Sequence, residues 1–127
     1  MQDPLRNFKA EFFKALSHPA RIKILEMLRT DELSVSELQE HLGIESSSVS
    51  QHLSVLRNKN IVESRKAGTT VYYRVRDPEI LDLLDIARRI FNNHLVNSRS
   101  TLEQLEEENA LDNDAKRVSL ISTIDRT

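Results

Sequence analysis

The chain has 127 residues, 39% of them hydrophobic and 30% charged, with no cysteine. This suits one domain plus an extension, excludes disulfides and thiolate metal sites, and leaves no apolar run near the roughly 18–20 residues that span a bilayer. The net charge of −2 is unevenly spread: residues 45–76 carry six basic against two acidic side chains, and residues 77–127 carry six against eleven.

The N-terminal segment MQDPLRNFKAEFFKAL is interrupted by acidic residues, and no continuous apolar stretch follows it. It does not read as a signal peptide, and the cytoplasm is the expected compartment. Within it Leu5, Phe8, Phe12 and Leu16 recur at helical spacing, and Phe13 widens the stripe, which predicts a short amphipathic helix over 4–16. Pro19 suits the first turn of a second helix, where its missing N–H forfeits no bond. Ile22, Leu25 and Leu28 carry that helix to about Arg29, and Thr30-Asp31-Glu32 is a polar break.

Ser34-Val35-Ser36-Glu37 has the pattern of a capping box, in which hydroxyl and carboxylate each accept from the other residue's backbone N–H. A short third helix follows, with Val35, Leu38 and Leu42 apolar and Gly43 placed for a left-handed C-terminal cap. A fourth helix begins around Glu45–Ser47 and places Val49, Leu53 and Leu56 on one face. One serine of this helix is expected to cap its N-terminus, with Ser46 as a cap or phosphate contact; the Ser48/Gln51 spacing also permits a capping box. Two short helices joined by a glycine turn make a helix-turn-helix, which presents the outer face of its second helix.

From Asn60 the period becomes two. Residues 61–66 and 70–76 read as strands of a hairpin, with Gly68 at the tip. Asp77 and Pro78 then suit the cap and first position of a last helix. Along it Ile80, Leu84, Ala87, Phe91, Leu95, Ser98, Leu102 and Leu105 step by threes and fours. This stripe is too long for one small domain to cover; a second copy of the helix, giving an isologous dimer, is the preferred cover over a helix folded back along its own domain. The domain is expected to span 1–108. Residues 109–127 read as a polar tail or short extra helix, anchored only by Val118, Leu120, Ile121 and Ile124.

The fold class is therefore mainly α with a small β-hairpin, a winged helix-turn-helix. The segments FFKALSHPARIKILEML, SVSELQEHLGIESSSVSQHLSVLRNKNIV and RKAGTTVYYRV also resemble the ArsR/SmtB bacterial transcriptional regulators, over about residues 8–95. The resemblance implies a homodimeric DNA-binding repressor whose first and last helices form the interface, here Phe8, Phe12, Leu84, Ala87, Phe91, Leu95 and Leu102. It puts the fourth helix in the major groove and the wing against the adjacent minor groove or backbone. On the family's pattern Ser47, Ser48, Ser50 and Gln51 face bases. A glutamine can bond adenine bidentately, worth about 1–3 kcal/mol of discrimination, whereas serine selects little. Arg65, Lys66, Thr69 and Thr70 on the wing are phosphate candidates. Arg57, at the helix end, suits phosphate or the negative pole of the helix dipole. His52 has two readings, packing against the first turn of the motif or touching phosphate, of which packing is preferred.

Many family members release DNA on binding metal. One site type uses a Cys-x-Cys pair, and the matching positions here are Ser34 and Ser36, poor ligands for soft metals. A last-helix site would retain Asp77, Glu79 and, one residue out of place, His94; a cap role for Asp77 competes with it. No cofactor is expected. What remains is a small-molecule or protein effector, or none, and the acidic stretch 103–127 is a candidate modulator of DNA binding. No Gly-rich phosphate loop or nucleophile cluster suggests an enzyme. The rivals are a metal-responsive repressor with a degenerate last-helix site and a winged helix used only for protein–protein contacts. The Ser/Gln face and basic wing disfavour the second rival, since interface cores favour apolar and aromatic side chains.

Overall fold

The computed structural model describes residues 3–119, with side chains through residue 111. The elements run α1 (Pro4–Leu16), α2 (Pro19–Met27), β1 (Leu33–Ser34), α3 (Val35–Leu42), α4 (Ser46–Asn58), β2 (Val62–Ala67), β3 (Thr70–Val75) and α5 (Glu79–Ser119). The chain divides into a compact unit up to Leu84 and a second from Asp85 onward.

Local chemistry sets each boundary in the first unit. Asp3 caps α1 by accepting from Leu5 N at 3.0 Å and Arg6 N at 3.2 Å, with Pro4 in the first turn. His18 caps α2, its Nδ1 accepting from Ala20 N at 3.0 Å. The expected capping box opens α3: Ser34 N donates to Glu37 Oε1 at 3.0 Å, and Glu37 N donates to Ser34 Oγ at 3.3 Å. Gly43 closes α3 at φ +66°, and Gly68 turns the hairpin at φ +63°.

The sheet has three antiparallel strands in the order β1-β3-β2. β1 pairs Leu33 with Tyr73 and Ser34 with Tyr72. It follows directly on the polar break, and two residues are too few to show a period. β2 and β3 form the expected hairpin, from Val62↔Val75 to Ala67↔Thr70.

The core of this unit is Ala15, Leu16, Ile24, Leu25, Leu28, Leu38, Val49, Leu53, Leu56, Ile61, Val62 and Ile80. Each large aliphatic side chain buried here contributes about 1.5–3 kcal/mol relative to exposure. The core draws residues from α1 through β2 and the first turn of α5, which sets the orientation of α4 within the unit.

The second unit is the continuation of α5. The helix runs past Glu108, where the apolar stripe ends, through to Ser119. No glycine or proline follows Pro78, so nothing in the backbone stops it. The anchors Val118, Leu120, Ile121 and Ile124 lie outside the residues whose side chains are described. No helix among the described residues is long and apolar enough to cross a membrane.

Candidate nucleic-acid interface

The two sides of α4 differ sharply. Val49, Leu53 and Leu56 are at most 1% exposed and join the core. On the other side Ser46, Ser47, Ser50, Gln51, Ser54 and Arg57 are exposed, and Ser48 is half-buried. The expected bases-facing set therefore shares one accessible surface, except for Ser48 at its margin. The expected serine cap is not formed. Glu45 takes the N-cap position with extended backbone, its carbonyl accepting from Ser48 N at 3.0 Å and Val49 N at 3.1 Å, and no side chain caps the helix. Ser46 is already in the helix, so the serine hydroxyls are not used as caps.

The far end of α4 is tied down. Asn60 takes φ +58°, and its Oδ1 accepts from Arg76 Nη1 at 2.9 Å. Ile61 N donates to Leu56 O at 2.9 Å, and Arg76 N donates to Ile61 O at 3.0 Å. The helix exit is thereby fastened to the end of β3. Lys59 lies 3.6 Å from Glu11, which links α4 to α1.

The wing is less free than its sequence suggests. Arg65 Nε donates to Glu32 Oε2 at 2.5 Å, and the guanidinium lies 5.2 Å from the Tyr72 ring centroid. Arg74 pairs with Glu63 at 2.6 Å and approaches Glu32 at 3.9 Å. Sequence reasoning missed Glu32 because it lies 33 positions before its partner Arg65, in the polar break. Lys66 is exposed and has no ion pair among the described residues. Thr69 is exposed and Thr70 half-buried beside the tip.

His52 packs against the start of α2. Its Nδ1 accepts from Arg21 Nε at 3.2 Å, and its ring lies 4.4 Å from that of His18. Both partners belong to the start of α2, too far back in sequence for the motif's spacing to reveal them.

Of the expected interface residues, Phe8 is 61% exposed, Phe91 58%, Leu95 49% and Leu102 60%. Ala87 is exposed, and Phe12 and Leu84 are half-buried. Phe8 and Phe12 stack at 5.9 Å. Beside them a cleft of about 330 Å³ is lined by Phe8, Phe12, Lys59, Asn60, Asp77, Glu79, Ile80 and Leu83. Within α5 alone, Phe91, Leu95 and Leu102 are exposed large apolar side chains. Of the weak metal candidates, Asp77 accepts from Glu79 N at 3.0 Å and so acts as a cap. Glu79 is exposed, as is His94 in the second unit. Among the described residues no three His, Asp or Glu side chains gather as a metal site.

A sequence model described as "bacterial regulatory protein, arsR family" matches residues 18–64. The HTH-type transcriptional regulator Rv0081 of Mycobacterium tuberculosis, itself uncharacterized, is 44% identical over 104 residues, 81% of this chain and 91% of that protein. Its crystal structure superposes with a TM-score of 0.69, over 76% of this chain and 97% of that one. The homodimeric winged helix-turn-helix domain of Mb0332 from Mycobacterium bovis is 28% identical, with a TM-score of 0.68 over 75% of this chain and 91% of that one. A probable mercury resistance operon repressor from Streptomyces lividans is 40% identical over 62% of this chain and 63% of its own length.

Proposed function

The chain belongs to the arsR family of bacterial regulatory proteins and is a DNA-binding transcriptional regulator, not an enzyme; from that premise we propose that it is a cytoplasmic repressor that binds an imperfect palindrome as a homodimer. The observation that carries this reading is the division of α4: a fully buried Val49/Leu53/Leu56 face and an exposed Ser46/Ser47/Ser50/Gln51 face. Short hydroxyl side chains let a helix sit deep in the major groove, and Gln51 supplies base selectivity that serine lacks.

Arg57, Lys66, Thr69 and Thr70 grip phosphates, and Arg65 joins them once it leaves Glu32. The exposed apolar side chains of α1 and α5, Phe8, Phe91, Leu95 and Leu102, are covered by a second copy. The homodimeric state of the Mycobacterium bovis relative supports this assembly. Two α4 helices then meet successive major grooves about 34 Å apart.

Selection of bound fragments from genomic DNA, followed by anisotropy on the recovered duplex and a scrambled duplex, tests the reading. Gln51→Ala is expected to cost about 1–3 kcal/mol on the recovered site only. Lys66→Ala is expected to weaken both duplexes alike and to flatten the salt dependence. Equal losses of specificity for the two variants refute the assignment. A promoter–reporter fusion reads the sign of regulation. It carries an activation arm because a 37% identical relative from Vibrio cholerae is named a transcriptional activator.

A further inference from the structure

We propose that His18, Arg21 and His52 form a proton-sensitive brace that positions α4 for base readout, so that sequence-specific DNA binding weakens as the pH falls below neutrality. The inference rests on the reading of α4 as the helix that meets the bases.

Three consecutive residues of α4 divide its surroundings. Gln51 is exposed, His52 is half-buried against α2, and Leu53 is 1% exposed in the core. Arg21 joins the helices through one guanidinium. Its Nε donates to His52 Nδ1 at 3.2 Å, and its Nη1 donates to Ala15 O in the last turn of α1 at 3.2 Å. His18 lies alongside, its ring centroid 4.4 Å from that of His52 and tilted by 50°, while its own Nδ1 accepts from Ala20 N. A single side chain of α2 thus spans from α1 to the residue next to Gln51.

The contact with Arg21 requires a neutral His52 ring. Its Nδ1 accepts, so the imidazole carries its one proton on Nε2. A second proton has only Nδ1 to occupy. There it faces the Arg21 N–H donor, removes the acceptor, and adds a cation beside the guanidinium. With both Nδ1 atoms already accepting, and no third ligand among the described residues, a metal at the His18–His52 pair is disfavoured.

Burial, then His18, then Arg21, lower the pKa of His52 from its ordinary value. Both charged contributors, His18 and Arg21, come from the start of α2. A histidine whose folded pKa is depressed takes its proton more readily once the brace opens. The contribution of the brace is therefore fully present above the ordinary histidine pKa of about 6.5 and is lost progressively as pH falls from there through the lowered pKa of His52.

The lever on readout is geometric. The tip of a side chain on α4 sits roughly 6 Å from the helix axis, so a 10° rotation carries Gln51 about 1 Å. Bidentate base contacts do not survive a displacement of that size.

Anisotropy with the full chain, at fixed ionic strength from pH 7.5 to 5.5, tests the proposal. The probes are a duplex recovered by this protein from a random-sequence library and its scrambled counterpart. The recovered-to-scrambled affinity ratio is expected to fall roughly tenfold across that range, since both protomers titrate. His52→Asn keeps an acceptor near the Nδ1 position but cannot titrate, and is expected to hold the ratio level. The double variant His18→Asn, His52→Asn is expected to do the same, with asparagine a competent cap for α2. Circular dichroism at each pH separates loss of readout from unfolding.

A wild-type ratio that does not change with pH overturns the proposal, as does a pH slope retained in both variants. If Gln51→Ala lowers the ratio while the asparagine variants keep the wild-type slope, the brace alone fails. If Gln51→Ala leaves the ratio unchanged, the reading of α4 fails and the brace with it.

Discussion

Glu32→Gln tests how the wing holds its charge. The Glu32 carboxylate accepts from Arg65 Nε at 2.5 Å and lies 3.9 Å from the Arg74 guanidinium, so it faces two wing arginines. Its side chain is 27% exposed and that of Arg65 57%, so water screens the pair. Such pairs contribute about 0.2–1 kcal/mol. Arg65 must leave Glu32 to reach a phosphate, and a dimer must do so twice. The wild-type protein therefore forgoes about 0.4–2 kcal/mol, roughly two- to thirtyfold in affinity.

Glutamine keeps the shape of the side chain and removes its charge, so the variant is expected to bind DNA more tightly by that factor. Because Arg65 contacts phosphate in both proteins, the slope of log K against log salt is expected to stay the same. Recovered and scrambled duplexes should gain alike, since phosphate contacts position without specifying. Anisotropy titrations with both duplexes between about 50 and 200 mM salt measure this. Affinity that is unchanged or weaker throughout that range would refute the reasoning and make the Glu32–Arg65 pair part of the binding-competent wing.

Two further outcomes are expected. Gly43→Ala should cost about 1–2 kcal/mol in urea unfolding, because Gly43 sits at φ +66° while an added Cβ meets nothing within 4 Å. Gly43→Asn should cost less, since asparagine tolerates that conformation, and equal costs would show that backbone strain is not the cause. Residues 110–127 hold three acidic and three basic side chains, whereas 103–109 hold four acidic and none basic. If the acidic stretch 103–127 modulates DNA binding, neutralising Glu106, Glu107 and Glu108 to glutamine should raise affinity at low salt, and a 110–127 deletion that leaves affinity and dimerisation unchanged would argue against a role for the tail.

Much of this protein is determined locally and could be read from the sequence. The capping box at Ser34 and Glu37, the left-handed glycines at 43 and 68, and the Val49/Leu53/Leu56 stripe depend on neighbours within a few positions. Short-range sterics and periodicity leave them few alternatives. The same locality makes the Ser/Gln face of α4 legible, because burying one side of a helix exposes the other.

Tertiary structure decided what joins distant segments. β1 exists because Leu33 and Ser34 meet Tyr73 and Tyr72 across the sheet, a pairing that two residues cannot announce. Arg65 reads as a free cation until Glu32 is folded against it. His52 reads as a neighbour of α3 until packing brings it to Arg21. These contacts span 31 to 40 positions, and no local pattern encodes which polar side chains will meet once a common core has closed.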